Sequence, residues 1–221
     1  MDSGKDTSQR ILDAAECLFV EHGFAGTSMR QITSAAAVNI SAVNYYFGSK
    51  DGLFQAVFER RAEPFALLSI AKLNALQLAK PACSAVDIAQ AFMGAALEMG
   101  RQPEHGGLVF VKLLARSYVE PHPRLKEKLP LRYGELTQRY LAAMRLALPH
   151  LSDMEVAWRF QFMSSTMFNA FAGNNVMRLF MTQPIVNARD PHKVAEMLLP
   201  FIAAGLNSPA AELVTPSTTE V

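Results

Sequence analysis

The sequence predicts an all-α protein in two parts, a small amino-terminal three-helix domain and a larger carboxy-terminal helical domain. Three observations carry this reading. Apolar residues recur at three- and four-residue spacing along most of the 221 residues. No sustained alternation of β-branched residues marks a strand. The 12 glycines and 12 prolines sit mostly between the periodic stretches, where they punctuate helices.

The first helix is expected over 8–22, with Ile11, Leu12, Ala15, Leu18 and Phe19 on a single face and Gly23 at its end. Ser28 with Gln31 three residues on is a capping-box signature for the second helix, whose buried side is Met29, Ile32 and Ala36. Ala36-Ala37-Val38 makes a tight turn, and Asn39 caps a short third helix over 40–46. A Phe-Gly-Ser-Lys link follows. Ser49 caps the fourth helix, where Leu53, Phe54, Val57 and Phe58 form the apolar stripe.

Pro64 is expected to mark the join to the second part. Helical stretches then fall at 65–79, 84–101, 107–119, 124–148, 153–182 and 190–206, separated by connectors that carry proline. The domains so drawn are 1–60, 61–207 and a small, polar tail at 208–221 that should fray.

The helices around the 36–38 turn have the form of a helix-turn-helix, a device that sets a short helix into the DNA major groove. By spacing alone, a three-helix bundle without a DNA role also fits. In the third helix Val43 and Phe47 lie four apart and should point inward, leaving Asn39, Ser41, Ala42, Asn44, Tyr45 and Tyr46 outward or half-outward. Ser41 can donate or accept, the Ala42 methyl suits a thymine methyl, and Tyr45 offers ring and hydroxyl. Lys50, at the start of the fourth helix, suits a phosphate oxygen, as do Thr27 and Ser28 at the start of the second. For Ser28 and Asn39 a purely capping role competes.

Charge gives no help. The whole chain carries +1, and its first 61 residues hold six basic groups (Lys5, Arg10, Arg30, Lys50, Arg60, Arg61) against seven acidic ones. A domain that coats DNA by bulk charge would be more basic, so the DNA reading rests on placement.

The run GFAGTSMRQITSAAAVNISAVNYYFGSKDGL, from Gly23 to Leu53, resembles the amino-terminal domain of the TetR/AcrR family of ligand-responsive transcriptional repressors. The likeness extends without gaps over roughly 8–60. It implies that Tyr45, Tyr46 and Lys50 touch DNA backbone or bases and that Thr27 and Ser28 meet phosphate. Two positions depart from the pattern. Asn44 stands where a tyrosine is usual, and Ala37 stands where the turn usually has glycine. If Ala37 must be left-handed, it costs about 1–2 kcal/mol.

A DNA-reading dimer needs recognition helices roughly 34–36 Å apart, so the second part must join two copies. The stretch 153–182 carries Val156, Trp158, Phe160, Phe162, Met163, Met167, Phe168, Phe171, Val176, Leu179 and Phe180, more than one buried face can use. Val194, Met197, Leu198, Phe201, Ile202 and Leu206 form a second wide apolar stripe. Paired with their own copies they would make a four-helix homodimer interface; the alternative is that they fill a monomer core.

Phe92, Met93, Met99, Phe110, Leu113, Leu114 and Met144 read as a pocket wall or as ordinary core. Arg101, His105, Lys112, Arg116, Tyr118 and His122 could hold a ligand's polar end or could be solvated. The stretches 130–165 and 198–205 are similar to long-chain fatty-acid-responsive repressors of the same family, which implies a fatty acid or acyl-thioester effector.

No hydrolase, zincin, P-loop or dinucleotide motif appears, so neither enzyme activity nor a cofactor is expected. The five histidines lack metal-ligand spacing, and Cys17 and Cys83 are too isolated for a disulfide framework. With no secretory signal and no run of about 18 apolar residues, a cytoplasmic protein off the membrane is expected.

Overall fold

The computed structural model describes residues 3–101, 109, 111–113, 115, 123–173, 180, 182 and 190–211. Eight helices are complete within these residues: α1 Ser3–Gly26, α2 Met29–Ala35, α3 Ile40–Phe47, α4 Lys50–Ala79, α5 Ala85–Arg101, α6 Pro123–Ala147, α7 Asp153–Phe171 and α8 Pro191–Leu206. Among the described residues no strand occurs.

The expected boundaries hold where a local signal set them. Gly23 breaks α1 with φ 73°, and a short helical turn continues to Gly26. Ser28 and Gln31 complete the capping box, Asn39 Oδ1 accepts the Ala42 amide at 2.8 Å, and Ser49 Oγ accepts the Gly52 amide at 3.1 Å. Each bond satisfies an amide that a helix start leaves orphaned.

Two expectations give way. Pro64 does not separate elements; it lies inside α4, which runs unbroken through the 60/61 boundary. Proline removes one helical hydrogen bond, but Arg61, Ala62, Phe65 and Ala66 are buried on either side of it, and that packing holds the helix together. The helix expected over 153–182 ends at Phe171, and Gly173 follows at φ 77°. Val176 and Leu179 are outside the described residues, as are Phe110, Leu114, His105, Arg116, Tyr118 and His122.

Helix α4 is the spine. It packs against α1 and α3 at its start and against α5 and α6 along its remainder, while α8 lies against α5 and α7. In the second part, Phe92 sits edge-on to Phe65, Tyr140, Phe160 and Phe168, with centroids 4.9–5.9 Å away. Such edge-to-face packing aligns the ring quadrupoles. Tyr140 is fully buried, donates its hydroxyl to the Ser69 carbonyl at 2.9 Å, and has its phenol pKa pushed up by burial. Phe92, Met93, Met99, Leu113 and Met144 thus belong to the packed core. Of the polar candidates, Lys112 is exposed, and Arg101 Nε donates to His192 Nε2 at 3.0 Å, joining α5 to α8.

The start of the tail is anchored. Arg159 donates to the carbonyls of Leu206, Ser208 and Pro209 at 2.7–2.8 Å, and Glu155 accepts the Ala211 amide at 2.7 Å. That amide bond, aided by Ser152 and Arg159, holds the Glu155 carboxyl below its usual range.

Among the described residues no helix is long and apolar enough to cross a membrane, and no three metal-ligating side chains gather.

Candidate DNA-binding interface

The head built by α1–α3 and the start of α4 closes around Ile11, Ala15, Ile32, Val43, Leu53 and Val57, all fully buried. Val43 turns inward as its spacing requires, and Phe47 packs half-buried against the core. The opposite face of α3 is thereby presented outward. Ser41 and Asn44 are exposed, Tyr45 is 82% exposed and Tyr46 37%. The two tyrosine rings stand edge to face with centroids 5.0 Å apart.

The α2–α3 corner depends on strained backbone. Ala37 has φ 51°, the one positive φ at a non-glycine among the described residues. The α3–α4 corner depends on glycine. Gly48 has φ 72°, and a Cβ on Gly52 would stand 2.1 Å from the Phe47 carbonyl oxygen. No other residue allows α4 to begin so close beneath the end of α3.

The predicted contact residues do not all behave alike. Ser41, Tyr45 and Tyr46 share the outer face of α3. Ala42 is half-buried, with its methyl packed against the core, so it offers less surface than its position on the helix implies. Ser28 is exposed but engaged: its amide and hydroxyl both donate to Gln31 Oε1 at 2.7 Å. Lys50 is half-buried, with its ammonium 4.2 Å from the centroid of the Phe24 ring.

Thr27 departs from its expected role. Its side chain is 1% exposed, and its hydroxyl donates inward to the Gly23 carbonyl at 2.8 Å. The kink at Gly23 turns that carbonyl toward the threonine, so Thr27 holds the α1–α2 corner instead of facing a phosphate.

The structure also resolves the charge balance. Arg60 pairs with Asp13 at 2.7 Å, and Arg61 pairs with Glu16 at 2.8 Å with both side chains 6% exposed. These four charges neutralise one another at the α1–α4 seam. The stretch 22–50, which supplies α2, α3 and their corners, contains no acid and carries Arg30 and Lys50. Arg30 is exposed on α2. Sequence reasoning passed over this acid-free run because it totalled charge over the whole head.

Two family models match the chain. Residues 11–57 match the bacterial regulatory proteins of the tetR family, and residues 90–205 match the tetracyclin repressor-like carboxy-terminal domain. The HTH-type transcriptional repressor Rv3405c of Mycobacterium tuberculosis is 28% identical over 204 residues, covering 87% of this chain and 94% of that protein. The probable HTH-type transcriptional regulator YttP of Bacillus subtilis is 43% identical over 49 residues, 22% of this chain and 24% of that protein.

Among solved structures, the hemolysin II transcriptional regulator HlyIIR superposes with a TM-score of 0.58 at 18% identity, over 93% of this chain and 99% of that one. The TetR family regulator PfmR of Thermus thermophilus gives 0.56 at 18% identity, over 90% and 95%. These similarities establish the same fold. With both domains matched, the chain belongs to the TetR family of bacterial DNA-binding transcriptional regulators.

Proposed function

We propose that the protein is a cytoplasmic repressor that binds an inverted-repeat operator as a homodimer and is released by an apolar small molecule. The observation that carries the DNA part is the outer face of α3. Ser41, Tyr45 and Tyr46 stand clear of the core on an acid-free unit flanked by Arg30 and Lys50. Hydroxyls and rings of this kind read base edges and thymine methyls, while the cations and the capped start of α2 at Ser28 meet phosphate. Ala42, half-buried, adds a methyl at the edge of that face. The division into a reading head of 1–60 and a sensing and dimerising part of 61–207 belongs to this proposal, with α4 as the element shared by both.

Support for the dimer comes from α7 and α8. Trp158, Phe162, Met197 and Phe201 are 54–75% exposed, more large apolar surface than a lone chain ordinarily leaves in water. Trp158 and Phe162 stack at 5.4 Å, and Phe162 and Phe201 border a groove of ≈ 470 Å³ between the two helices. A second copy related by a two-fold axis would cover this face with its own.

The effector is proposed to be a fatty acid or acyl-thioester. Its support is the looser likeness over 130–165 and 198–205, together with the buried Phe and Met side chains along 88–114 and 144–171, which pack the core of the single chain and would have to part to admit an apolar ligand. A ligand there releases DNA by favouring a spacing of the two heads that does not fit the operator. A tenfold loss of affinity needs about 1.4 kcal/mol of such preference.

The test is selection of duplexes from a randomised pool by the purified protein, followed by titration with acyl chains, aromatic acids and cationic drugs. Enrichment of an inverted repeat, released by the acyl compounds, is the expected result. Failure to enrich any sequence would sink the DNA reading. Release by a cationic drug alone would sink only the acyl effector.

A further inference from the structure

The fold brings together two residues from opposite ends of the head's signature run. Phe24 lies just past the kink at Gly23, and Lys50 is the first residue of α4. The Lys50 ammonium sits over the face of the Phe24 ring, 4.2 Å from its centroid. The ring itself is fixed: it stacks on Phe19 with centroids 6.0 Å apart and meets Phe54 at 5.1 Å and 61°. Phe19 is 1% exposed and Phe54 7%, so the ring stands on the buried core of the head while remaining half-buried itself.

This arrangement answers an electrostatic difficulty. A cation on the first residue of a helix faces the positive end of the helix dipole and the unpaired amides there, which disfavour it. The negative face of an aromatic ring offsets that repulsion. Without the ring, the long lysine side chain would sample many rotamers and lose them all on meeting DNA. With it, the ammonium is held at the mouth of α4 before DNA arrives.

We propose that Phe24 is a positioning residue for the DNA contact made by Lys50. The ring's role is electrostatic and geometric: it holds the charge where a phosphate oxygen would meet it. The proposal rests on the reading that Lys50 contacts phosphate.

The experiment is a double-mutant cycle on the full-length dimer, with a duplex selected by the wild-type protein from a randomised pool. Phe24→Leu keeps the apolar volume and removes the ring; Phe24→Tyr keeps the ring. Phe24→Leu is expected to weaken binding about 3-fold per subunit, about tenfold for a site held by two copies. The same change in a Lys50→Ala background should cost less than about twofold, and Phe24→Tyr should bind close to wild type. A role confined to core packing would lower affinity equally in both backgrounds, and that outcome would overturn the proposal. If Lys50→Ala binds like wild type throughout a salt titration, the phosphate reading of Lys50 fails, and the proposal fails with it.

Nuclear magnetic resonance of the free protein gives a check that does not depend on how well a variant folds. The Lys50 Cε protons should show an upfield ring-current shift in the wild type. Ordinary lysine shifts there would exclude the pairing.

Discussion

The head and the α7–α8 face expose aromatic residues for opposite reasons. On α3 the exposed rings are Tyr45 and Tyr46, each with a hydroxyl, on a unit whose core residues Ile32 and Val43 are fully buried. On α7 and α8 the exposed residues are Trp158, Phe162, Met197 and Phe201, which offer little to a polar partner. The head is finished within a single chain and turns polar groups outward. The α7–α8 face is unfinished, because its apolar area is relieved only by another apolar surface. The first would suit a polar ligand, and under the proposed function the second would meet its own copy.

The largest expected effect tests how firmly the head is finished. Glu16 is buried at the α1–α4 seam, bonded to Arg61 at 2.8 Å and 3.4 Å from Arg60. Glu16→Ala removes the carboxylate that both arginines face, and breaking a buried pair in this way costs about 3 kcal/mol. Urea unfolding should record that loss. A change below about 1 kcal/mol would show that apolar packing alone holds the seam.

The unfinished face responds to a different change. Phe162→Glu should weaken self-association by roughly 30-fold, about 2 kcal/mol, because central aromatic anchors dominate such interfaces. Helicity should be unchanged, since Phe162 is 60% exposed in the single chain. Sedimentation equilibrium decides the matter, and an unaltered dimer constant would place the interface elsewhere.

A smaller effect tests the turn within the head. Ala37 holds φ 51° at the α2–α3 corner. Ala37→Gly relieves left-handed strain but adds freedom to the unfolded chain, for a net gain of about 1 kcal/mol. Thermal unfolding should show a raised midpoint. A lowered midpoint would mean that the methyl packs favourably enough to outweigh its strain.

The smallest effect lies outside both regions, at the start of α5, and serves as their control. Asp87 has its carboxyl lowered to about 2 from 3.8, first by the bond from Lys80 and then by the hydroxyl and amide of Ser84. A depressed carboxyl stabilises the fold above its unfolded value, and the gain is lost as pH falls from about 4 through 2. The group is partly exposed, so solvent screening limits the contribution to about 0.5 kcal/mol. Asp87→Asn should flatten the acid limb of a stability-against-pH curve while leaving DNA binding at neutral pH intact.

The elements most legible in the sequence were those with local chemistry. Ser28 with Gln31, Asn39 and Ser49 each cap a helix as their spacing required, and Gly23 takes a positive φ where it was expected to end α1. At Ala37 the sequence left the conformation open, because a departure from a usual glycine does not say whether the backbone there is left-handed; the structure gives it φ 51°. Pro64 misled, because local propensity cannot weigh burial on both sides of a proline. The tail misled at 208–211, because composition says nothing of the Arg159 and Glu155 side chains about 50 residues away that hold it.

By itself the sequence determined the helical class, most helix starts, the inward side of α3 and the kinship of the head. All of these follow from contacts within a few residues, which periodicity and capping patterns record directly. Only the tertiary structure decided which polar groups remain available. Thr27 turned inward to Gly23, Arg60 and Arg61 were taken by Asp13 and Glu16, and Lys50 came to rest on Phe24. The charge pairs and the Lys50–Phe24 contact join residues 26 to 47 positions apart, and Thr27 depends on how α1 ends against α2. A hydroxyl or a charge is committed by whichever partner the packed helices bring within bonding distance, and no local pattern encodes that distance.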